Sequence, residues 1–332
     1  MKTILFRFDY DPKIGYGHLS RCSVLAKKFI KKGHKCILLT NRYKTDKKYK
    51  KIFYKIINLK NINFFKEENQ IIEIYKKFNC KYLIIDKLIF NTKSQKILKK
   101  NKVKWLQFIG KIRTKCIADQ VICSIPYNSR EINKFAKANN QKFFIGKNYS
   151  IIRDQFFKKK RIKTLKKFLI CFGGGDDRGL ILFVLKSIIS NIGDYNINLL
   201  IGDNPRFKSI YKWIQNKNLE RKIKILKNKK NVVNYIDESH FAICSGGTIT
   251  HEINSRGKRM IILSLVENQK LQGKKWKNFN NYYLGLFSKD NLFKIRHKLK
   301  KYFRIIKNDK KINFKKRSNK FLEKIINNAI KR

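Results

Sequence analysis

The sequence predicts two doubly wound α/β domains whose parallel sheets face a central cleft. Three observations carry that expectation. Short apolar runs alternate with amphipathic stretches of helical period along most of the chain. The rhythm breaks once, at a charged stretch near the middle, and then restarts. Glycine-rich turns follow apolar strands in both halves. A length of 332 residues suits two domains, and 42% hydrophobic and 13% aromatic residues supply real cores, which excludes a disordered chain.

The elements follow in order. Residues 2–8 (KTILFRF) read as the first strand. Residues 18–32 read as a helix, because Leu19, Cys22, Leu25, Ala26 and Phe29 recur at helical spacing and Gly33 stops it. Residues 35–40, 81–86, 103–108, 119–123 and 142–146 are further strands, with helices at about 68–78 and 92–101. Residues 154–167 (DQFFKKKRIKTLKK) have no period and read as a linker. Strands are then expected at 168–172, 196–201, 222–226, 240–244 and 259–265, with helices at 178–191 and 248–256. The tail from 288 to 332 reads as two Lys-rich amphipathic helices. The expected domains are 1–157 and 165–332, with the last helix able to pack back on the first domain.

Composition narrows the function classes. Lys plus Arg number 80 against 22 Asp plus Glu, a formal net charge of +58. The lysines run along the whole length and far outnumber the arginines. That is the mark of a chain-wide compositional bias, not of a clustered phosphate-reading face, so no specific nucleic-acid partner is expected. The charge still draws polyanions and nucleotide phosphates at low salt. The seven cysteines (Cys22, Cys36, Cys80, Cys116, Cys123, Cys171, Cys244) are odd in number and never in CxxC spacing. They read as reduced core residues of a cytoplasmic protein. The N-terminal apolar stretch is too short for a signal peptide, and no apolar run is long enough to span a membrane. His and carboxylates share no metal-binding spacing, so neither metal nor cofactor is expected.

The chemistry concentrates at three strand-to-helix turns: 14–18 (IGYGH), 172–176 (FGGGD) and 245–249 (SGGTI). Glycine lets backbone approach a ligand closely, and a helix N-terminus offers N–H groups and a partial positive charge. In a doubly wound sheet such turns lie at the carboxyl ends of strands, where ligands bind. Together they point to a phosphate-bearing ligand, although none is a Walker loop or a GxGxxG fingerprint. The candidate binding glycines are Gly15, Gly17, Gly173, Gly174, Gly246 and Gly247, joined by Arg21 and Thr248. His18 opens the first helix beside Gly17 and suits a general base; a plain helix-terminal residue bonded to local backbone is the alternative. His251 lies in the first turn after SGGT, within reach of a ligand. Glu252 stands where a carboxylate can take two hydrogen bonds from a ribose diol, or merely complement a helix dipole. Asn268 and Gln269 follow a strand and suit either sugar hydroxyl and acetamido groups or a helix cap.

Five blocks then resemble one family in order: RFDYDPKIGYGHLSRCSVLA (7–26), IGKNYSIIRDQF (145–156), LICFGGGD (169–176), ICSGGTITHE (243–252) and VENQ (266–269). They look like the PseG/SpsG nucleotide-sugar hydrolases of pseudaminic acid biosynthesis. The resemblance implies a GT-B fold of two Rossmann-like domains, as in MurG-like glycosyltransferases. It implies metal-independent, inverting hydrolysis of UDP-2,4-diacetamido-2,4,6-trideoxy-β-L-altropyranose, with His18 as base, Glu252 on the ribose and Asn268 on the sugar. Two departures touch the sugar side. Lys87 and Leu88 stand where the family commonly has an aromatic residue, and Asp9, Tyr10 and Asp11 replace a serine-rich loop. A related UDP-sugar is therefore an alternative substrate. A GT-B glycosyltransferase using a UDP-sugar donor, and a basic polyanion-binding protein, are the alternative functions.

Overall fold

A computed structural model of the chain describes residues 1–11, 15–41, 51–59, 67–87, 89–137, 142–158, 166–173, 175, 177–229, 231–309 and 320–330. The chain forms two compact units, Met1–Arg153 with Ser318–Arg332, and Asp154–Arg317. Each is a parallel sheet with helices, as the alternating pattern predicts.

In the first unit the described elements run β1 (Thr3–Phe8), α1 (Gly17–Lys31), β2 (Lys35–Thr40), β3 (Lys55–Asn58), α2 (Glu67–Lys77), β4 (Cys80–Asp86), α3 (Thr92–Lys100), β5 (Trp105–Phe108), β6 (Gln120–Cys123), α4 (Ser129–Lys137) and β7 (Lys142–Ile145). Seven parallel strands lie in the order β3-β2-β1-β4-β5-β6-β7. The chain therefore reverses direction across the sheet between β1 and β4, the switch point where ligands bind in such sheets. Phe6 and Phe8 point from β1 into a core shared with Leu19, Cys22 and Phe29 of α1, which is why α1 carries its apolar stripe. β3 and α4 were not expected. β3 is an edge strand with only two apolar residues, half-buried, so its pattern is weak.

In the second unit the elements are β8 (Lys167–Cys171), α5 (Leu180–Ile188), β9 (Asn196–Ile201), α6 (Phe207–Asn216), β10 (Ile223–Lys227), α7 (Val233–Glu238), β11 (Phe241–Ser245), α8 (Ile249–Ser255), β12 (Arg259–Ser264), α9 (Lys270–Trp276), β13 (Tyr282–Leu286) and α10 (Leu292–Asn308). Six parallel strands take the order β10-β9-β8-β11-β12-β13, with the switch point between β8 and β11. The helices α6, α7 and α9 and the strand β13 go beyond the sequence expectation. α9 is disguised by Gly273, which the ring of Tyr283 crowds so closely that a Cβ would collide with it.

Two expectations need correction. The stretch 154–167 is not linker throughout: Asp154–Phe157 is a 3₁₀ turn with Phe156 fully buried, and β8 begins at Lys167. Residues 159–165 lie outside the described residues. The second tail helix, α11 (Phe321–Ile330), carries Lys324 as its single lysine. It belongs to the first unit, where Leu322, Ile325, Ile326 and Ala329 complete the core beside α1.

Candidate active site

At the β1–β4 switch point of the first unit, the β1–α1 turn delivers His18 and the end of β4 delivers Asp86. Gly15 holds φ +89°, a left-handed conformation natural to glycine, and its N–H donates to Asp11 O at 2.7 Å. α1 starts without a side-chain cap or an acidic first turn. His18 is its second residue. Its Nδ1 lies 2.9 Å from Asp86 Oδ1, with the imidazole 12% exposed and the carboxylate 1%. Arg21, one turn along, donates to the same carboxylate through Nε at 2.5 Å and Nη2 at 2.6 Å. The Cys22 thiol lies 3.5 Å from Oδ2.

These contacts fix the protonation pattern. Burial pushes the Asp86 carboxyl up, but the charges of Arg21 and His18 and their hydrogen bonds outweigh it and hold the group well below the carboxylate range. An ionised carboxylate only accepts, so the Nδ1 facing it carries the hydrogen. Arg21 Nη2 lies 3.0 Å from the same nitrogen, but as a second donor it is a neighbour and not a hydrogen-bond partner. In the neutral imidazole this tautomer puts the lone pair on Nε2, and the Arg21–Asp86 pair beside the ring carries no net charge. Sequence reasoning placed only the helix terminus next to His18. Asp86 is the candidate that local pattern does not reveal; the signal available is its position at the carboxyl end of a buried central strand.

In the second unit, the turn between β11 and α8 is built around one carbonyl. Gly247 O accepts from Thr250 N at 3.1 Å, Thr250 Oγ1 at 2.8 Å and Gln272 Nε2 at 2.8 Å. Thr250 Oγ1 in turn accepts from Gln272 Nε2 at 2.8 Å and Trp276 Nε1 at 2.9 Å. A trans peptide sets C=O and N–H on opposite sides, so holding Gly247 O inward turns the Thr248 N–H outward. Among the described residues no acceptor is recorded for the N–H groups of Gly247, Thr248 and Ile249. Gly246 is packed too tightly for any other residue: a Cβ there would stand 2.9 Å from Gln269 O. Thr250, Gln272 and Trp276 were not singled out from the sequence, since nothing local links positions 250, 272 and 276.

The remaining candidates divide. Glu252 is buried within α8, and Asn268 is exposed on the turn after β12. Gln269 Oε1 accepts the Leu265 N–H at 2.9 Å, so the side chain closes the turn against Gly246 and its oxygen is committed. Gly173 is exposed with φ +106°. Gly174, with Leu88, lies outside the described residues. The helix after Gly173 does not offer the N–H groups expected of it. Asp177 accepts from Ile181 N at 2.6 Å and lies 3.4 Å from Gly179 N, placing a carboxylate where an anion was expected. His251 is buried against Trp276, ring centroids 5.3 Å apart, and does not reach solvent. None of the seven cysteines is in a disulfide, and six of them are buried. Among the described residues no three His, Cys, Asp or Glu gather as a metal site, and no helix is long and apolar enough to cross a membrane.

The chain is 25% identical over 279 residues to a UDP-2,4-diacetamido-2,4,6-trideoxy-beta-L-altropyranose hydrolase of Campylobacter jejuni, covering 80% of this chain and 93% of that one. The chain resembles that hydrolase. This is the resemblance carried by the five sequence blocks. It is also 28% identical over 278 residues to an uncharacterised protein of Methanocaldococcus jannaschii, covering 79% of this chain and 55% of that protein. No family model matches. Among solved structures, MurG of Acinetobacter baumannii aligns over 93% of this chain and 91% of its own, at a TM-score of 0.63 and 12% identity. A co-structure of MnaA from S. aureus with UDP aligns over 100% and 98%, at 0.65 and 12%. These likenesses establish the fold: two Rossmann-like units of GT-B type.

Proposed function

We propose that this protein is a UDP-sugar hydrolase. The observation that carries the reading is the His18–Asp86 pair at the switch point of the first sheet, which leaves Nε2 as a base. A water held at Nε2 attacks the anomeric carbon. The proton passes to His18, the C1–O bond to the diphosphate breaks, and its electron pair leaves on the β-phosphate oxygen of UDP. Attack from the face opposite the leaving group gives an inverted sugar. The second unit takes the nucleotide. The N–H groups of Gly247, Thr248 and Ile249, for which no acceptor is recorded among the described residues, suit the diphosphate without a cation, Glu252 the ribose, and Asn268 the sugar. Gly15, Gly17 and Arg21 serve the sugar end.

The likeness to the Campylobacter jejuni hydrolase favours a diacetamido-trideoxy sugar, hence a role in pseudaminic acid-type biosynthesis, and cysteines outside any disulfide favour a cytoplasmic location. The likeness of fold to MurG favours, as second reading, a glycosyltransferase with the same donor. One experiment separates them: incubation with a panel of UDP-sugars, without acceptor and with EDTA, following UDP release. Release at a steady turnover supports the hydrolase. Release that begins only when an acceptor is added supports the transferase.

A further inference from the structure

A second charged cluster sits at the same switch point, on the opposite face of the sheet from the His18–Asp86 pair. Arg7, in β1, is fully buried and all three guanidinium nitrogens are engaged. Nε donates to Glu67 Oε1 at 2.5 Å, and Nη1 and Nη2 donate to the two oxygens of Asp9 at 2.6 and 2.9 Å. Asp9 also accepts the Asn41 N–H at 2.7 Å and the Thr40 hydroxyl at 3.2 Å. The Lys87 ammonium donates to Glu67 Oε2. Burial pushes Asp9 up, but Arg7, the Asn41 N–H and Lys87 hold it below its ordinary value. The cluster thus joins the ends of β1, β2 and β4 to the first residue of α2.

Two cations and two carboxylates leave the cluster neutral. Buried ionic networks stabilise a fold poorly, because desolvation offsets most of the attraction. Their place at a switch point calls for another use. Capacity within the cluster is uneven. Arg7 turns every guanidinium nitrogen to a carboxylate and is closed off from solvent, and both oxygens of Asp9 are occupied. Among the described residues Lys87 bonds to Glu67, whereas an ammonium carries three N–H groups. Its side chain is 16% exposed. Asp86 and Lys87 are consecutive, so they leave the strand on opposite faces: Asp86 towards α1 and His18, Lys87 towards α2 and Glu67.

We propose that Lys87 determines specificity for the sugar. Its ammonium, held by Glu67 beside the Arg7–Asp9 pair, donates a hydrogen bond to a neutral oxygen substituent, hydroxyl or amide carbonyl, on the ring whose anomeric carbon is attacked. The neutral cluster gives no net pull on a carboxylated or phosphorylated sugar, so a neutral acceptor is the fitting partner. The inference rests on the UDP-sugar reading above. A site built to bond a substrate oxygen rejects the analogue lacking it far more strongly than an apolar pocket does.

The test is calorimetry of UDP, UDP-N-acetylglucosamine and its mono-deoxy analogues against the wild type, Lys87→Met and Lys87→Gln. Lys87→Met is expected to bind UDP within about twofold of wild type, to bind the UDP-sugar at least tenfold more weakly, and to lose discrimination against one deoxy analogue. Lys87→Gln, which keeps a donor, is expected to recover part of it. Wild-type affinity of Lys87→Met for the UDP-sugar overturns the inference, as does an equal loss for UDP itself. If wild type releases no UDP from any sugar, the hydrolase reading fails while the binding comparison still decides Lys87. If wild type binds no UDP-sugar, both fall.

Discussion

His18 Nδ1 and Asp86 Oδ1 meet at 2.9 Å where the start of α1 faces the end of β4, the strand that pairs with β1 although it lies far along the chain. In the proposed reaction the pair assigns one ring nitrogen to orientation and the other to taking the proton. Removing either half has a defined outcome. His18→Ala is expected to lower kcat by roughly 10²–10⁴-fold, the usual contribution of a positioned base, with UDP affinity nearly unchanged. Asp86→Asn keeps the shape but can turn its amide hydrogens towards Nδ1, favouring the wrong tautomer, and is expected to fall in the same range. Steady-state kinetics with calorimetry on UDP check both. Turnover comparable to wild type in either variant removes the pair from the mechanism.

The same carboxylate governs an acid limit of stability. Asp86 titrates below its ordinary 3.8 in the folded protein because Arg21 and His18 favour its charged form. A depressed carboxyl contributes stability that is complete above the unfolded value and is lost as pH falls through and below it. Asp86→Asn leaves the Arg21 guanidinium without its carboxylate and is expected to cost about 3 kcal/mol at pH 7. Urea unfolding of both proteins at pH 7, 5 and 3 tests the sign. The gap should hold between pH 7 and 5 and narrow below about pH 4; a constant gap contradicts the assigned cause.

The legible part of this protein was the part written in local pattern. Leu19, Cys22, Leu25 and Phe29 announce α1, and apolar runs such as LIC and AIC announce buried strands, because a parallel sheet covered on both faces needs them. Glycines at 15, 173, 246 and 247 marked the turns that follow β1, β8 and β11. Partners distant in sequence were not legible. Asp86 reaches His18 over a separation of 68 positions, and Gln272 reaches Gly247 over 25, so only the fold brings them together. Local pattern also misled where one residue changed the chemistry: Asp177 caps the helix after the GGG turn, and the same aspartate fills the place expected for a phosphate.

Gly246 is the position where that fold leaves least freedom. A Cβ would meet the backbone oxygen of Gln269 at 2.9 Å and Ser264 Oγ at 3.3 Å, and backbone cannot swing aside as a side chain tip can. Gly246→Ala is therefore expected to destabilise by about 1–3 kcal/mol and to push the 267–269 turn from the 245–248 turn. UDP affinity should drop at least tenfold in calorimetry. Gly247→Ala meets nothing nearer than 3.7 Å and should leave stability within about 0.5 kcal/mol while still weakening UDP. A Gly246→Ala variant as stable as wild type would show that the two turns are not locked together.

Lys258 gives a prediction at the alkaline end. It is buried at the foot of β12, its Nζ donating to the Asp237 carbonyl at 2.8 Å, while Arg256 takes the Asp237 carboxylate at 2.7 and 2.8 Å. Burial pulls the ammonium down; Asp237 pulls it up and Arg256 down again, leaving it at about 8 against an ordinary 10.5. Between those values the unfolded chain holds the extra proton, so the contribution of this group to stability rises with pH through the window, by about 1.4 kcal/mol per unit at most. Below about pH 8 both states are charged and the folded protein carries the full cost of the buried cation. Lys258→Met has no such cost, so its stability relative to wild type should be greatest at pH 7 and decline towards pH 10. Taking the difference between the two proteins cancels the other lysines, which titrate in both. Urea unfolding at pH 7, 8.5 and 10 measures it, and a difference that stays flat or grows with pH would mean that Lys258 keeps its proton throughout.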